Sequence, residues 1–224
     1  MTVPETHLVS VLDKGFIELV DVTGNDTTVV NAARVSFAKQ VAEMTPNDDK
    51  LIHYLADHKH VSPFYHPHLS FRVKAPISVQ RQWFKHKIGT AENSESTRYI
   101  EVKDEFYIPE VFRKQSKSNK QGSSDDFRPL LSERYRIAYV AACHNSFEAY
   151  ELMVSQGVAK EQAREVLPLC TYTTWIWTAS LAAVAHFLRL REDSHAQFEV
   201  RQYAYAMREI ASQHFPVSLA ALTK

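Results

Sequence analysis

The sequence predicts an α+β fold, in which strands and helices mix within one domain. Strand-like and helix-like segments follow one another without the strict strand–helix–strand rhythm of a doubly wound sheet. The chain has 224 residues, and 45% of them are hydrophobic, which is enough for one sizeable core. We therefore expect a single domain over residues 1–224.

The first third of the chain predicts two strands and two helices. Residues 16–22 are short, apolar and β-branched, and the turn residues 23–26 then introduce a helix that runs through Arg34. A second helix opens at residues 45–47 and ends near a histidine-rich stretch. Residues 69–74 alternate between apolar and polar side chains, which is typical of a half-buried strand.

The middle of the chain predicts a helix followed by two short strands. Pro76 suits the first turn of a helix, because its missing N–H is no loss there. This helix is expected to carry residues 81–87 and to stop near Gly89. Residues 98–102 and 106–108 have the composition of further strands.

The second half predicts a loop and then helices. Residues 114–126 are polar, low in complexity and without periodicity, as in a mobile surface loop. A long helix follows over residues 127–156 with Gly157 in a C-cap position, and another helix is expected over residues 179–190. The last helix begins at Asp193-Ser194, where Ser194 and Gln197 fit a capping box. Its apolar stripe is formed by Ala196, Val200, Tyr203, Met207 and Ile210.

Composition and charge exclude several classes of protein. Lys plus Arg equals Asp plus Glu at 26 each, so no overall field attracts nucleic acid or a membrane surface, and neither is expected as a partner. Two cysteines are too few and too far apart for a disulfide framework or a zinc site, and no metal is expected. The N-terminus lacks an apolar signal segment, and no stretch reaches the length of a membrane span. These features favour a reducing, cytoplasmic location.

The densest polar cluster covers residues 81–87 and continues through residues 89–99. On a helix, Gln82 would share a face with Lys85 and His86. A solvated basic helix end explains the first part, because cations complement the helix dipole. The hydroxyl- and amide-rich run after Gly89 favours phosphate binding instead, because phosphate is held by combined cationic charge, hydroxyls and backbone N–H groups.

These residues resemble the flavin-dependent thymidylate synthases. The family carries Arg-His-Arg, seven residues, and then a serine in a pattern that ends Ser-x-Arg-Tyr. Here the pattern reads Lys85-His86-Lys87, eight residues, and Ser96-Thr97-Arg98-Tyr99. Further blocks lie in the family's order: Ala32-Ala33-Arg34-Val35-Ser36-Phe37, His60-x-Ser62-Pro63-Phe64-x-His66, Lys74-Ala75-Pro76-Ile77, Ala163-Arg164-x-x-Leu167-Pro168 and Leu188-x-Leu190-Arg191-x-Asp193-Ser194-His195-Ala196-Gln197.

The resemblance implies an enzyme that methylates dUMP to dTMP. Arg191 matches a catalytic arginine that contacts the uracil ring and favours ionisation at N3. Without the resemblance, Arg191 reads as a dipole-compensating residue in a last helical turn, and Arg164 as a surface residue. The implied dUMP-binding residues are Gln82, Lys85, Ser94, Glu95, Ser96, Thr97, Arg98, Arg164 and Arg191.

The resemblance also implies FAD as the cofactor, with NADPH and methylenetetrahydrofolate as co-substrates. His60 and Tyr99 match the folate and nicotinamide region. Histidines hydrogen-bonded near helix ends are the ordinary alternative for His186 and His195. The implied FAD-binding residues are Ser36, Ser62, Lys85, His86, Lys87, Ile88, Asn93, Ser180, His186, Leu190 and His195.

No enzyme nucleophile is needed in this family, because reduced flavin brings hydride and mediates one-carbon transfer. Cys143 beside His144, and Cys170, are accordingly read as packing residues. The resemblance further implies a mainly antiparallel sheet flanked by helices, and a homotetramer whose sites are shared between subunits.

The chain departs from the family pattern at several positions. Lys85 and Lys87 replace arginines, so each trades a two-pronged donor for a point charge. Ser94 stands where a glutamate is usual, with Glu92 or Glu95 as possible replacements. Tyr65 and Ala182 also replace a common glutamate and arginine.

These departures leave three other readings open. The first is an enzyme similar to the family that acts on another pyrimidine nucleotide or gives a hydroxymethylated product. A weakened flavin- or nucleotide-binding protein is the runner-up. A nucleic-acid binder is disfavoured by the zero net charge.

Overall fold

A five-stranded antiparallel sheet forms the centre of the molecule. The structure is a computed structural model that describes residues 7–117 and 122–224. The strands lie in the order β1-β2-β3-β7-β4, and each neighbouring pair is antiparallel. The strands of this sheet are β1 (Leu8–Val11), β2 (Gly15–Thr23), β3 (His68–Pro76), β4 (Thr90–Ser94) and β7 (Tyr172–Ser180).

Eight helices and a small hairpin complete the described residues. The hairpin pairs β5 (Arg113–Gln115) with β6 (Ser123–Asp126). Short 3₁₀ turns occur at Val35–Phe37, Ser62–Tyr65 and Arg164–Val166. The helices are α1 (Asp26–Arg34), α2 (Pro46–Asp57), α3 (Ile77–Trp83), α4 (Pro129–Ser155), α5 (Lys160–Ala163), α6 (Leu181–Arg191), α7 (Phe198–His214) and α8 (Pro216–Leu222). None of the helices in the described ranges is both long and apolar enough to cross a membrane.

The main core lies between one face of the sheet and the helices. Leu69, Phe71 and Val73 alternate along β3 and are fully buried, because successive side chains of a strand point to opposite faces. Trp83 of α3 packs edge-on against Trp175 and Trp177 of β7, with ring centroids 5.5 Å apart in both pairs. This packing fixes the end of α3, and the candidate site begins there.

A second, smaller cluster lies under the long helix α4. It contains Phe106, Cys143 and Cys170, and Tyr139 and Phe147 pack against it. Both thiols are buried and free, as expected for cysteines that serve in packing.

Much of the sequence interpretation is confirmed. Strands β2 and β3 and helices α1, α2 and α4 occur where predicted, and Gly157 has the positive φ of a helix C-terminus. The predicted stripe of α7 is buried at Val200, Tyr203, Met207 and Ile210. The α+β class with an antiparallel sheet flanked by helices is confirmed as well.

The predicted helix over residues 81–87 is too long. Helix α3 ends at Trp83, so Lys85 and His86 do not share a helical face with Gln82. After Trp83 the chain turns to form β4, which pairs with the far edge of β7. Neither β4 nor β7 was predicted, because hydroxyl-rich and mixed apolar segments lack clean alternation.

The predicted strands over residues 98–102 and 106–108 are also wrong. The N–H groups of Tyr99 and Ile100 bond to the carbonyl of Ser96, which makes a turn. Phe106 forms only a single bridge, with Thr171. The predicted loop over residues 114–126 instead carries parts of β5 and β6, while residues 118–121 lie outside the described residues.

Two helix starts differ from the prediction. Helix α6 begins at Leu181, because the side chain of Ser180 accepts a hydrogen bond from the Ala183 N–H and caps it. Helix α7 begins at Phe198 and not at Ser194. The predicted capping box is absent there, because the Asp193 carboxylate accepts the His195 N–H at 2.8 Å and forms a turn.

Candidate functional site

Arg191 stands at the end of α6 and joins two other predicted site residues. Its Nε donates to His86 Nε2 at 3.0 Å, and its Nη2 donates to the main-chain oxygen of Gln82 at 3.1 Å. We call Gln82, His86 and Arg191 the uracil cluster, after the ring that Arg191 is expected to contact. The structure therefore brings three of the predicted residues together.

The end of α3 explains why this cluster forms. The last carbonyls of a helix have no partner within the helix, and Arg191 satisfies that of Gln82. Trp83 anchors the helix end in the core, and His86 N–H bonds back to the Trp83 carbonyl at 3.0 Å. The tight turn places the His86 ring inward, while Lys85 stays exposed.

His86 is a neutral imidazole at physiological pH. Burial, the charge of Arg191 and the neighbouring His186 lower its pKa to about 4. Because a guanidinium can only donate, Nε2 of His86 must accept, and the ring proton lies on Nδ1. Burial also lowers the pKa of Arg191.

A cavity of about 560 Å³ lies along α6, and His186 connects it to the uracil cluster, because His186 lines the cavity and its ring faces the His86 ring edge-on at 5.7 Å. Gln82, His86 and Arg191 themselves do not line this cavity. His186 and Arg189 of α6 line it, together with Ile88 and the small side chains of Ala182 and Ala185. Predicted flavin residues Ile88 and His186 are thus brought to one cavity. Ser62 lies next to Val61, which also lines the cavity.

The segment after His86 passes close to the start of α6. Gly89 has φ +71°, and a Cβ there would lie 2.7 Å from Ser180 Oγ. The Ser180 N–H donates to the Gly89 carbonyl at 2.9 Å. A side chain at position 89 would therefore disturb this approach. Lys87 makes an ion pair with Glu92.

A second group of predicted residues forms around Arg164. Its Nη1 donates to Thr97 Oγ1 at 3.1 Å, which joins the 3₁₀ turn after α5 to the loop after β4. Arg98 is exposed and stacks on the neighbouring Tyr99 ring at 5.4 Å. We call Thr97, Arg98 and Arg164 the phosphate cluster. In residues 7–117 and 122–224 we find no hydrogen bond or ion pair that joins it to the uracil cluster.

Between these clusters along the chain lie Asn93, which was predicted to bind FAD, and Ser94 and Glu95, which were predicted to bind dUMP. Asn93 and Ser94 pair with Ile176 and Trp175 of β7, and Glu95 N–H donates to the Thr174 carbonyl at 2.9 Å. Glu95 and Thr97 also line a polar cavity of about 250 Å³.

Several predicted residues have no described side-chain contact with either cluster, and Ser36, His60, Leu190 and His195 are among them. Ser36 is exposed on the turn after α1, and His60 faces Tyr54 edge-on at 6.2 Å. Leu190 is exposed near the end of α6. His195 contacts Asp193, whose pKa is lowered by the hydrogen bonds from the His195 main chain and ring.

Comparison with known proteins identifies the family. Residues 18–217 match the family model described as "Thymidylate synthase complementing protein". The chain is 44% identical over 215 residues to the flavin-dependent thymidylate synthase of Thermosipho africanus, with 96% of this chain and 93% of that protein covered. It is 45% identical to the enzyme of the same name from Thermus thermophilus, with 95% and 77% covered.

The chain belongs to the flavin-dependent thymidylate synthase family.

A solved structure supports the same assignment. The UMP/dUMP methylase PolB from Streptomyces cacaoi, bound with 5-Br dUMP, superposes with a TM-score of 0.85 at 31% identity. The match covers 96% of this chain and 97% of that chain. The family resemblance drawn from the sequence motifs is therefore confirmed.

Three residues linked to the uracil cluster were not among the predicted site residues, and of these Gln197 alone contacts the cluster directly. The Gln82 side chain donates to Gln197 Oε1, and Gln197 donates to the carboxylate of Glu199 at 2.8 Å. Arg113 of β5 donates to Glu199 as well. Gln197 closes the last quoted motif, which was the one available signal, whereas Glu199 resembles an ordinary first-turn carboxylate and Arg113 lies far away in sequence.

Proposed function

We propose that this protein is a flavin-dependent thymidylate synthase that methylates dUMP with FAD as cofactor and with methylenetetrahydrofolate and NADPH as co-substrates. The observation that carries the proposal is a half-buried Arg191, fixed between His86 and Gln82, in a chain of this family. The His86 ring faces His186, which lines a large cavity. Curated relatives with that activity in their names cover most of the chain.

The cavity beside α6 has features that suit a flavin. At about 560 Å³ it falls in the size range of small-molecule sites, and alanines give it a flat apolar wall. Lys59, Arg189 and Lys224 line it and supply positive charge for a pyrophosphate. Ile88, His186 and Ser62 would hold the cofactor here, with Ser180 beside Gly89 and with the lysines at 85 and 87.

When bound, FAD supplies the hydride chemistry and mediates one-carbon transfer. The protein orients the reactants and excludes water. Neutral His86 holds the Arg191 guanidinium in place without adding charge that would compete with its own. His60 and Tyr99 are proposed to face folate or nicotinamide, and Tyr99 lies against Arg98 of the phosphate cluster.

Arg191 is proposed to activate the pyrimidine. A guanidinium that is half-buried and held by two hydrogen bonds keeps its charge aimed in one direction. That charge stabilises negative charge on a uracil ring ionised at N3, and the ring carbon becomes a better nucleophile. The proposal rests on the fixed geometry of Arg191 and on its match to the family motif.

The phosphate cluster is proposed to hold the anionic end of the nucleotide. Arg164 carries a forked guanidinium and Thr97 a hydroxyl, and both suit phosphate oxygens. Lys85, Arg98, Ser96, Ser94 and Glu95 complete the proposed nucleotide set. As the family resemblance implies, we propose a homotetramer with shared sites, in which one subunit supplies the uracil cluster and another the phosphate cluster. In the described residues no hydrogen bond or ion pair joins the two clusters within one chain, as a shared site allows.

A second substrate is favoured by one of the structural relatives. PolB is named a methylase of both UMP and dUMP, and it matches nearly the whole chain. This chain also replaces two motif arginines with Lys85 and Lys87. Methylation of UMP is therefore the second candidate activity.

Product analysis tests the proposal. The flavin-loaded protein is incubated with dUMP or UMP, methylenetetrahydrofolate and NADPH, and the nucleotides are analysed by mass spectrometry. We expect dTMP from dUMP, and bleaching of the flavin absorbance by NADPH. Unchanged dUMP would contradict the proposal, and a hydroxymethylated product or methylation of UMP alone would replace it with a related activity.

A further inference from the structure

A chain of hydrogen bonds runs from the hairpin strand β5 to helix α3. Arg113 Nη2 donates to Glu199 Oε1 at 2.8 Å, and Gln197 Nε2 donates to Glu199 Oε2 at 2.8 Å. The Gln82 side-chain amide then donates to Gln197 Oε1. These four residues link a buried ion pair to a member of the uracil cluster.

Glu199 fixes the direction of this chain because it can only accept. Its residue surface is 4% exposed, and burial alone would raise the pKa of its carboxyl. Hydrogen bonds from Arg113 and Gln197 outweigh burial, so the pKa lies below its ordinary value. The Tyr107 hydroxyl donates to the same carboxylate at 3.2 Å. Glu199 is therefore ionised, and each oxygen receives a donor.

Because the Glu199 carboxylate can only accept, it sets the orientation of the side-chain amides of Gln197 and Gln82. The Gln197 amide nitrogen must face Glu199, so the Gln197 oxygen faces Gln82. The Gln82 nitrogen must then face Gln197, and its other hydrogen points to the Ser78 carbonyl at 3.5 Å. Only Oε1 of Gln82 is left to meet a ligand, and this oxygen accepts.

We propose that Gln197, oriented by Glu199, is a positioning residue that fixes Gln82 as a hydrogen-bond acceptor for the nucleotide. The site would then select a pyrimidine nucleotide that presents a donor at this point, either the N3–H of the ring as it binds, before Arg191 promotes its ionisation, or a sugar hydroxyl. A misoriented Gln82 would present two donors and lose that selection. This inference rests on the proposed function, because it takes Gln82 to contact dUMP.

The test uses methionine, which keeps the side-chain length of glutamine but lacks its amide. The variants are Gln82→Met, Gln197→Met and the double variant, and Gln213→Met on the exposed side of α7 is the matched control. The dissociation constant of dUMP is measured by titration calorimetry on flavin-loaded protein. We expect Gln197→Met to weaken dUMP binding about tenfold, the scale of one hydrogen bond.

Two further readouts separate positioning from a purely structural effect. The double variant should bind dUMP no more weakly than Gln82→Met alone, because Gln197 acts through Gln82. Binding is also measured for N3-methyl-dUMP and 2′,3′-dideoxy-UMP. To the wild type, one of these analogues should bind about tenfold more weakly than dUMP. To Gln197→Met, the same analogue and dUMP should bind with equal affinity. The analogue that behaves in this way identifies which group of dUMP donates to Gln82.

The outcomes distinguish this inference from the proposed function. Wild-type protein that fails to bind dUMP would overturn both. If the wild type binds dUMP but Gln197→Met binds it equally well, the inference alone is overturned. Additive losses in the double variant, or unchanged discrimination between dUMP and both analogues, would also overturn it.

Discussion

The uracil cluster and the phosphate cluster differ in how many hydrogen bonds their arginine side chains make within one chain. In the first, Arg191 is half-buried, holds two hydrogen bonds and lies against the buried ring of His86. In the second, Arg164 has a single described partner, Thr97, while Arg98 and Tyr99 are exposed. One end of the proposed site is preorganised, whereas the other presents unused donors that a ligand or a second subunit can engage.

The largest expected effect is at the preorganised end. We expect Arg191→Ala to lower kcat for dUMP methylation by a factor of about 10²–10³, the scale for loss of a fixed charge-stabilising donor. Steady-state kinetics with a thermal melt of each protein checks this. Arg191→Lys keeps the charge but replaces the planar guanidinium, whose Nε and Nη2 bond to His86 and the Gln82 carbonyl, with a single ammonium, so it should restore little activity. Full turnover in Arg191→Ala would contradict the proposed ring activation.

Loss of Arg164 from the phosphate cluster should affect dUMP binding more than turnover. We expect Arg164→Ala to raise the KM for dUMP by a factor of about 10–100, because one charge-assisted contact to phosphate is lost. Deoxyuridine lacks the phosphate and serves as the control ligand. Its affinity should not change, and an equal loss for nucleotide and nucleoside would show that Arg164 does not bind phosphate.

The elements of the fold were unequally predictable from sequence. Residues 16–22 and 69–74 were correctly predicted as strands, the first from its short β-branched composition and the second from its alternation of apolar and polar side chains. Strand β4 was missed, since Thr90 to Ser94 are polar and pair only at the edge of the sheet. The end of α3 depends on Trp83 packing against β7, which is a long-range contact that local periodicity does not encode.

The motifs identified the candidate site residues, but they did not show which of these residues contact one another in the folded chain. Arg191 and His86 lie 105 positions apart, and nothing local indicates that they bond. Gln197 was read as part of a helix cap and as the last residue of a family motif, and its bond to Gln82 was not predicted, because Gln82 lies 115 positions away in the chain. Glu199 and Arg113 gave no signal, since their function depends on an ion pair formed by folding.

Acid should weaken the uracil cluster selectively. The folded-state pKa of His86 is about 4, below its ordinary value of 6.5, so the unfolded chain binds the proton more readily. Its contribution to stability is complete above pH 6.5 and is lost as the pH falls toward 4. We expect this loss to reach about 1–2 kcal/mol after allowance for solvent screening.

Chemical denaturation at several pH values measures that loss. His86→Gln keeps an acceptor for Arg191 and cannot titrate, so its unfolding free energy should fall less between pH 7 and pH 4.5. Identical pH dependence in the variant and the wild type would show that His86 is not the responsible group.

The smallest effect is expected far from both clusters. The Asp26 carboxylate accepts the N–H groups of Val217 and Ser218 at 2.9 and 3.0 Å and caps α8. We expect Asp26→Ala to lower the unfolding free energy by about 1–2 kcal/mol, as for other helix caps, with unchanged activity per folded molecule. A change in KM for dUMP would show that this end of the fold communicates with the site.

Subunit mixing tests the central claim, that one site is completed by the uracil cluster of one chain and the phosphate cluster of another. Arg191→Ala and Arg164→Ala proteins are unfolded together, refolded as a mixture and assayed for dUMP methylation at a dUMP concentration far below the wild-type KM, where the raised KM of Arg164→Ala makes that variant slow on its own. We predict activity well above that of either variant refolded alone, because some sites then combine an intact Arg191 with an intact Arg164. A mixture no more active than the separate variants, in assemblies shown to contain both chains, would contradict a shared site.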